Sequence, residues 1–503
     1  MTPFAVAFGK RRLRPGLIGA TLVFCVWAML YVPNVRTSPS WYGDETLTHH
    51  TAVDLANGQL TNMALWNTFW HPHYPYQPLY TLVCGLFGRA LSGDIIGSRL
   101  FNALLALMSG LAIFLLGRRS FGHGASLFAA LMFLTYEQAV IHFRMSYAHN
   151  GAALGLLLMT LYLLRRSCRR NNWLAGLGLA IAAGSHPLFV HGAAAGLLCR
   201  LRKPGAWLPL LVPSAVYLIF SMGAIYLIFG HWLIEDILHL KNVFTSRGGE
   251  DGGGGRALVN FYIFATQDWF HIGALAGLIL CVPLRRYAAP GVGLLVLFLL
   301  VRNRQNLVLF YYQAVFVLPV LCLGWAGLWR FLEIRIRRHA PRVRQVVSAL
   351  FALPALLFIL VLPASLSGTL RPRNHHWTTQ STGEVEEAAA WLNERLADGD
   401  VVGGNPNIAW LLHAETVPYL QMVTWYGLPT QGYENGNAKE RFRFVASLES
   451  VRFAIVGDID QRWTFGEPNV LPLWEQIQRE KWPLVWHGEN YLIFANPRFL
   501  PAK

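Results

Sequence analysis

Two adjacent carboxylates, Asp44 and Glu45, stand in a polar stretch that reads SWYGDETLTHH from Ser40 and HPHYPYQPLY from His71. A carboxylate held partly out of water has a raised pKa and can take a proton from a hydroxyl near neutral pH. Arginines hold a phosphate by paired hydrogen bonds and stabilise it as it leaves. The chain carries Arg99, Arg144, Arg302 and Arg304 in similar positions, with His49, His50, His71, His73, Tyr74, Gln77, His149 and Asn150. Together these residue types suit transfer chemistry on a lipid-borne substrate.

Simpler readings exist for each group. Asp44 is a good N-terminal cap for a helix beginning near Thr46. The four loop histidines could hold a metal, but adjacent and i,i+2 residues do not share a helix face. A divalent cation on Asp44, bridging donor phosphate oxygens, is compatible with the pattern. Arg144, Arg302 and Arg304 could instead meet lipid headgroups.

The elements that must position these groups are apolar. The chain is 54% hydrophobic and 14% charged, against about 25% charged in soluble proteins. Residues 1–383 hold 11 of the 27 acidic and 32 of the 42 basic residues, a net of +21; residues 384–503 net −6. The basic residues sit between apolar runs, the topology pattern of a membrane protein, so the net charge of +15 does not argue for nucleic acid. Six scattered cysteines make no CxxC and no zinc spacing, and read as inert thiols.

Segment 17–32 reads as the first transmembrane helix, with Lys10, Arg11, Arg12 and Arg14 keeping the N-terminus in the cytoplasm. Residues 34–98 then form the first outer loop, with helical spacing over 46–60 and a short apolar helix over 79–91 lying along the membrane surface. Further spans follow at 99–116, 125–141 and onward, for about eleven in all. Arg144, Arg302 and Arg304 are exceptions to the basic-inside pattern. Glycines 248–255 interrupt a long outer loop, and read as a lid or a linker. From about residue 371 the composition turns soluble. Residues 384–396 read as a helix, with strand signals at 400–405, 452–458 and 491–495. The expected architecture is therefore an α-helical polytopic membrane domain, 1–370, and a small extracytoplasmic α/β domain, 371–503.

The motifs WYGDE, HPHYPYQPLY, SRLFNAL from Ser98 and GRRSFG from Gly117 resemble those of the GT-C membrane glycosyltransferases. The likeness is to the protein mannosyltransferase-like and aminoarabinose transferase-like branch. It covers about residues 17–165 well and RNRQNLVLFYYQ, from Arg302, more weakly. The resemblance implies inverting sugar transfer from a polyprenyl-phosphate donor to a lipid, glycan or protein acceptor, outside a bacterial inner membrane. It implies Asp44 as base with Glu45 beside it, and Arg302 and Arg304 on the donor phosphate; from the residues themselves, Arg144 reads as a further phosphate ligand, and His71, His73, Tyr74, Gln77, His149 and Asn150, near membrane ends on the outer face, as substrate-binding. No cofactor follows from it, beyond room for a divalent cation. Two departures stand out. The turn Arg144–Asn150 lacks the acid often found there, and His71, His73 and Gln77 replace a frequent lysine. Two other classes fit the composition: a lipid-linked sugar transporter or flippase, and a non-catalytic envelope-glycan assembly protein.

Overall fold

The computed structural model describes residues 15–41, 43–58, 78–187, 189–201, 203–231, 233–234, 237–238, 268–281, 317–336, 342–371, 381–430, 439–462 and 464–500. The helical body begins with α1 (Pro15–Tyr31), α2 (Gly43–Ala56), α3 (Pro78–Ala90) and α4 (Ile95–Phe121). It continues through α5 (His123–Thr135), α6 (Glu137–Phe143), α7 (Ala148–Leu163), α8 (Arg169–Ser185), α9 (Phe189–Cys199) and α10 (Trp207–Phe229). After the next described gap come α11 (Trp269–Leu280), α12 (Leu318–Ile336) and α13 (Arg342–Ser367).

Among the described residues, three helices are long and apolar enough to cross a membrane, or up to four if a bent pair is one span. Four shorter apolar helices, α1, α7, α9 and α11, accompany them. The expected count of eleven is thus not reached by length alone. The expected spans at 288–301 and in the first part of 308–328, and the glycine run 248–255, lie outside the described residues.

The expected single span 125–141 is broken. α5 and α6 meet at a 64° bend, because Tyr136 takes an extended backbone conformation between them. Its ring stacks on Phe270, with centroids 3.9 Å apart, and its hydroxyl donates to Asp268 at 2.5 Å. The bend thereby ties α5–α6 to the start of α11.

Helix approach in the body depends on small residues. A Cβ on Gly155 of α7 would lie 2.6 Å from the Gly178 carbonyl oxygen of α8. Close backbone contact of this kind supplies van der Waals packing where lipid weakens the hydrophobic drive. α4 is fixed at both ends: Asp94 accepts from the Ile96 amide at 2.8 Å, and Arg118 and Arg119 lie in its last turn. Each complements the helix dipole.

The C-terminal domain follows as α14 (Thr382–Asn393), β1 (Val401–Gly404), α15 (Pro406–Ala409), β2 (Glu415–Val417), α16 (Tyr419–Trp425) and β3 (Val451–Gly457). It closes with α17 (Asp458–Arg462), α18 (Leu471–Arg479), β4 (Leu484–His487) and β5 (Tyr491–Ala495). The five strands lie in the order β2-β1-β3-β5-β4. β1 pairs parallel with β2 and β3, while β5 runs antiparallel to β3 and β4. The strands expected near 400–405, 452–458 and 491–495 are present; β2 and β4 carry too little alternation to be read from sequence.

The two parts share a core. Trp41, just before α2, and Ile95, the first residue of α4, are buried in one apolar cluster with Val385, Leu392, Val402, Ile455 and Ile493. Arg36 pairs with both Asp94, at 2.8 Å, and Glu386 of α14.

Candidate active site at the head of helix α2

Asp44 and Glu45 lie in the first turn of α2, where the helix dipole favours negative charge. The helix starts at Gly43, three residues before the expected position. The Glu45 side chain is fully buried. Its carboxylate meets Arg99 of α4 in a fork: Nε donates to Oε1 at 2.7 Å and Nη2 to Oε2 at 2.6 Å. The Ser146 amide adds a third donor to Oε1 at 2.9 Å. Arg99 turns its remaining edge to the chain leaving α1, with Nη1 donating to the carbonyls of Val35 (3.0 Å) and Pro39 (2.8 Å). One guanidinium therefore joins α2, α4 and the 35–39 segment.

A charge pair this dry is held by geometry, since desolvation offsets most of its attraction. Here the fork and the added main-chain bonds satisfy both ions. With each Glu45 oxygen already accepting, the residue is better suited to hold the helix start than to carry a proton. The side chain of Asp44 is outside the described set.

Behind this clamp runs a buried polar network. Asn102 Nδ2 donates to the Tyr80 hydroxyl at 2.8 Å, and Tyr80 lies 3.3 Å from Ser146 Oγ. Asn150 Nδ2 donates to Asn102 Oδ1 at 2.9 Å and to the carbonyls of His142 and Met145. Asn150, expected to touch substrate, instead secures the turn between α6 and α7.

Arg144 is likewise enclosed, with no solvent exposure. Nη1 donates to the Leu30 carbonyl (3.1 Å) and to Ser365 Oγ (2.9 Å), and Nη2 donates to the Pro33 carbonyl. It ties the ends of α1 and α13 to α6, so most of its donors are unavailable to a donor phosphate. Its Nε has no hydrogen-bond partner among the described residues. His149 is half-buried, its ring 4.3 Å from that of His186. His71, His73, Tyr74, Gln77, Arg302 and Arg304 lie outside the described residues.

His49, one helical turn past Glu45, adds a second tie. Its Nε2 lies 2.9 Å from the Gly93 carbonyl and its Nδ1 2.7 Å from Ser98 Oγ. A carbonyl only accepts, so Nε2 carries the proton and Nδ1 accepts from the hydroxyl. Burial pulls the His49 pKa down to about 4, so the ring is neutral at pH 7. Among the described residues no group of three or more His, Cys, Asp or Glu is placed to hold a metal ion.

Sequence reasoning placed Arg99 and Glu45 in the polar set without pairing them, carried Ser98 and Asn102 only as part of the SRLFNAL motif, and gave Ser146 no role. The Ser98–Asn102 stretch is the signal: a serine, an arginine and an asparagine at the start of one apolar helix. Their roles need partners 22 to 54 positions away.

Comparison with known proteins bears on the fold. Residues 71–188 match the family model for dolichyl-phosphate-mannose-protein mannosyltransferase. The fold is similar to ArnT from Cupriavidus metallidurans bound to undecaprenyl phosphate, at TM-score 0.67 and 14% identity, over 97% of this chain and 99% of that one. The apo state of that ArnT gives 0.62 and 13%, over 95% and 97%. Archaeal oligosaccharyltransferase AglB from Archaeoglobus fulgidus, in complex with an inhibitory peptide and a dolichol-phosphate, gives 0.52 and 10%, over 97% and 75%. No curated protein sequence matches the chain.

Proposed function

We infer, from a chain that has the GT-C fold of the protein mannosyltransferase-like and ArnT-like proteins, that it is an integral membrane glycosyltransferase. It moves a sugar from a polyprenyl-phosphate donor to a lipid, glycan or protein acceptor. The reaction takes place on the outer face of a bacterial inner membrane, with the N-terminus in the cytoplasm and the α/β domain outside. The observation that carries this reading is the full-length likeness to ArnT, joined to a helix start clamped at Glu45 by Arg99.

In the reaction Asp44 takes the proton of the acceptor hydroxyl. The freed oxygen attacks the anomeric carbon from the face opposite the phosphate, the bond to the phosphate oxygen breaks, and the configuration inverts. The departing polyprenyl phosphate keeps the bonding electron pair, and Arg302 and Arg304 stabilise its charge. Arg144, held by the Leu30 and Pro33 carbonyls and Ser365, positions the ends of α1 and α13. His71, His73, Tyr74, Gln77 and His149 contact substrate. Glu45 and Asn150 are positioning residues, which revises the direct roles expected of them.

The test is sugar transfer by purified protein in detergent, with radiolabelled polyprenyl-phosphate sugars and membrane extract as acceptor. Wild type is run beside Asp44→Asn, with and without EDTA. Transfer by the wild type, lost in a folded Asp44→Asn protein, is expected. Equal transfer by both removes the base assignment, silence across the donor panel removes the enzyme reading, and the EDTA lane decides whether a divalent cation takes part.

A further inference from the structure

The C-terminal domain has a feature that its sheet topology makes informative. The chain leaves β1 for β2 on one side and returns to β3 on the other. That reversal is a topological switch point, and open α/β sheets take their ligands in the crevice at the carboxyl ends of such strands. Here the crevice is bordered by Asn405 and Asn407 after β1, Asp460 after β3, and Tyr491, which pairs with Gly457 at the end of β3. All four are at most 2% exposed.

The occupant is the protein's own helix α2. Thr46 Oγ1 donates to Asn407 Oδ1 at 3.2 Å. Leu47 is buried against Ala409, and the Trp410 ring meets those of His49 and Trp41 edge-on, with centroids 5.2 and 5.0 Å apart. Asn407 is itself held from behind. Its Nδ2 donates to the Tyr491 hydroxyl at 3.3 Å and its amide to Asn405 Oδ1 at 2.8 Å. Asn405 Nδ2 in turn donates to Asp460 Oδ2 at 3.2 Å. These donors fix the Asn407 amide so that its oxygen faces Thr46.

Successive helix residues project about 100° apart. Arg99 grips Glu45 from the membrane body, and Asn407 grips Thr46 from the α/β domain. The body also holds His49, through Gly93 and Ser98; the Thr46–Asn407 bond adds a hold from the other domain, about 100° round the helix from Glu45. The residue preceding Glu45 and Thr46 is Asp44.

We propose that Asn407 is a positioning residue for sugar transfer. It acts through Thr46 to set the rotation of α2, and so the aim of Asp44, with the α/β domain serving as the second half of the mount. The proposal rests on the reading of Asp44 as the base.

The test compares wild type, Thr46→Val, Thr46→Ser, Asn407→Ala and the Thr46→Val/Asn407→Ala double variant in the full-length protein. Steady-state transfer is measured together with hydrogen exchange over residues 43–50. Thr46→Val keeps the shape and removes the hydroxyl. Each single loss is expected to lower kcat about 10- to 100-fold with KM for the donor little changed, and to speed exchange in the first turn of α2. Thr46→Ser restores both readouts, and the double variant is no worse than either single one. Wild-type kcat in folded Thr46→Val and Asn407→Ala proteins, or a lowered kcat with unchanged exchange, overturns the proposal. Silence of the wild type itself is a different result, which removes the glycosyltransferase reading on which the proposal rests.

Discussion

Glu45 and Arg99 are 54 positions apart in the chain, yet they meet in a two-bond fork of 2.7 and 2.6 Å with neither side chain exposed. This contact decides where α2 begins relative to α4. Removing one partner leaves the other charged and dry. Arg99→Met is therefore expected to cost about 3–5 kcal/mol of stability. Arg99→Lys keeps the charge but cannot span both Glu45 oxygens and the Val35 and Pro39 carbonyls at once, so it recovers only part of that. Thermal unfolding in detergent measures both. An Arg99→Met protein as stable as wild type would show that the pair holds nothing.

His49 makes the same region sensitive to acid. Its folded pKa, about 4, lies below the unfolded value of about 6.5. The unfolded chain thus binds a proton first as the pH falls. The contribution from neutral His49 is complete above pH 6.5 and is lost between 6.5 and 4, up to about 3 kcal/mol. His49→Gln, which can still donate toward Gly93, is expected to flatten the stability profile across that window. An unchanged slope in the variant would assign the acid sensitivity elsewhere.

Asp460 acts in the opposite sense. Burial raises its pKa to about 6, despite bonds from the Gly457 amide, Asn405 and Thr464. The stability that the neutral acid provides is complete below about pH 3.8 and declines as the pH rises to 6. Asp460→Asn is uncharged at every pH. It is expected to melt with wild type at pH 4 and to exceed it at pH 7.5, by at most about 3 kcal/mol. A variant less stable at pH 7.5 would mean that the carboxylate is needed there in its charged form.

Helices α2 and α3 touch backbone to backbone at Gly85, where a Cβ would fall 1.8 Å from the Ala52 carbonyl oxygen. Gly85→Ala must push α2 away from α3, at a cost of about 1–3 kcal/mol. Because α2 carries Asp44, the variant is expected to lose activity beyond what its stability explains at a temperature where it stays folded. Retained kcat in a folded Gly85→Ala protein would separate α2 placement from turnover.

The sequence by itself determined the class of fold and marked a candidate address for its chemistry. Apolar runs with basic flanks, the charge reversal near residue 384 and the Asp44–Glu45 pair are local patterns, and local patterns survive reading along one dimension. The α/β composition after residue 371 is of the same kind. Tertiary structure alone decided what each polar residue does. Glu45 looked like a second acid until Arg99 closed on it, and Arg144 looked like a phosphate ligand until the carbonyls of Leu30 and Pro33 enclosed it. Asn407 gave no signal, because its partner Thr46 lies 361 positions earlier. The physical reason is common to all three. A buried polar group is defined by the donors and acceptors that replace its water, and folding brings those together from segments whose spacing records nothing of the meeting.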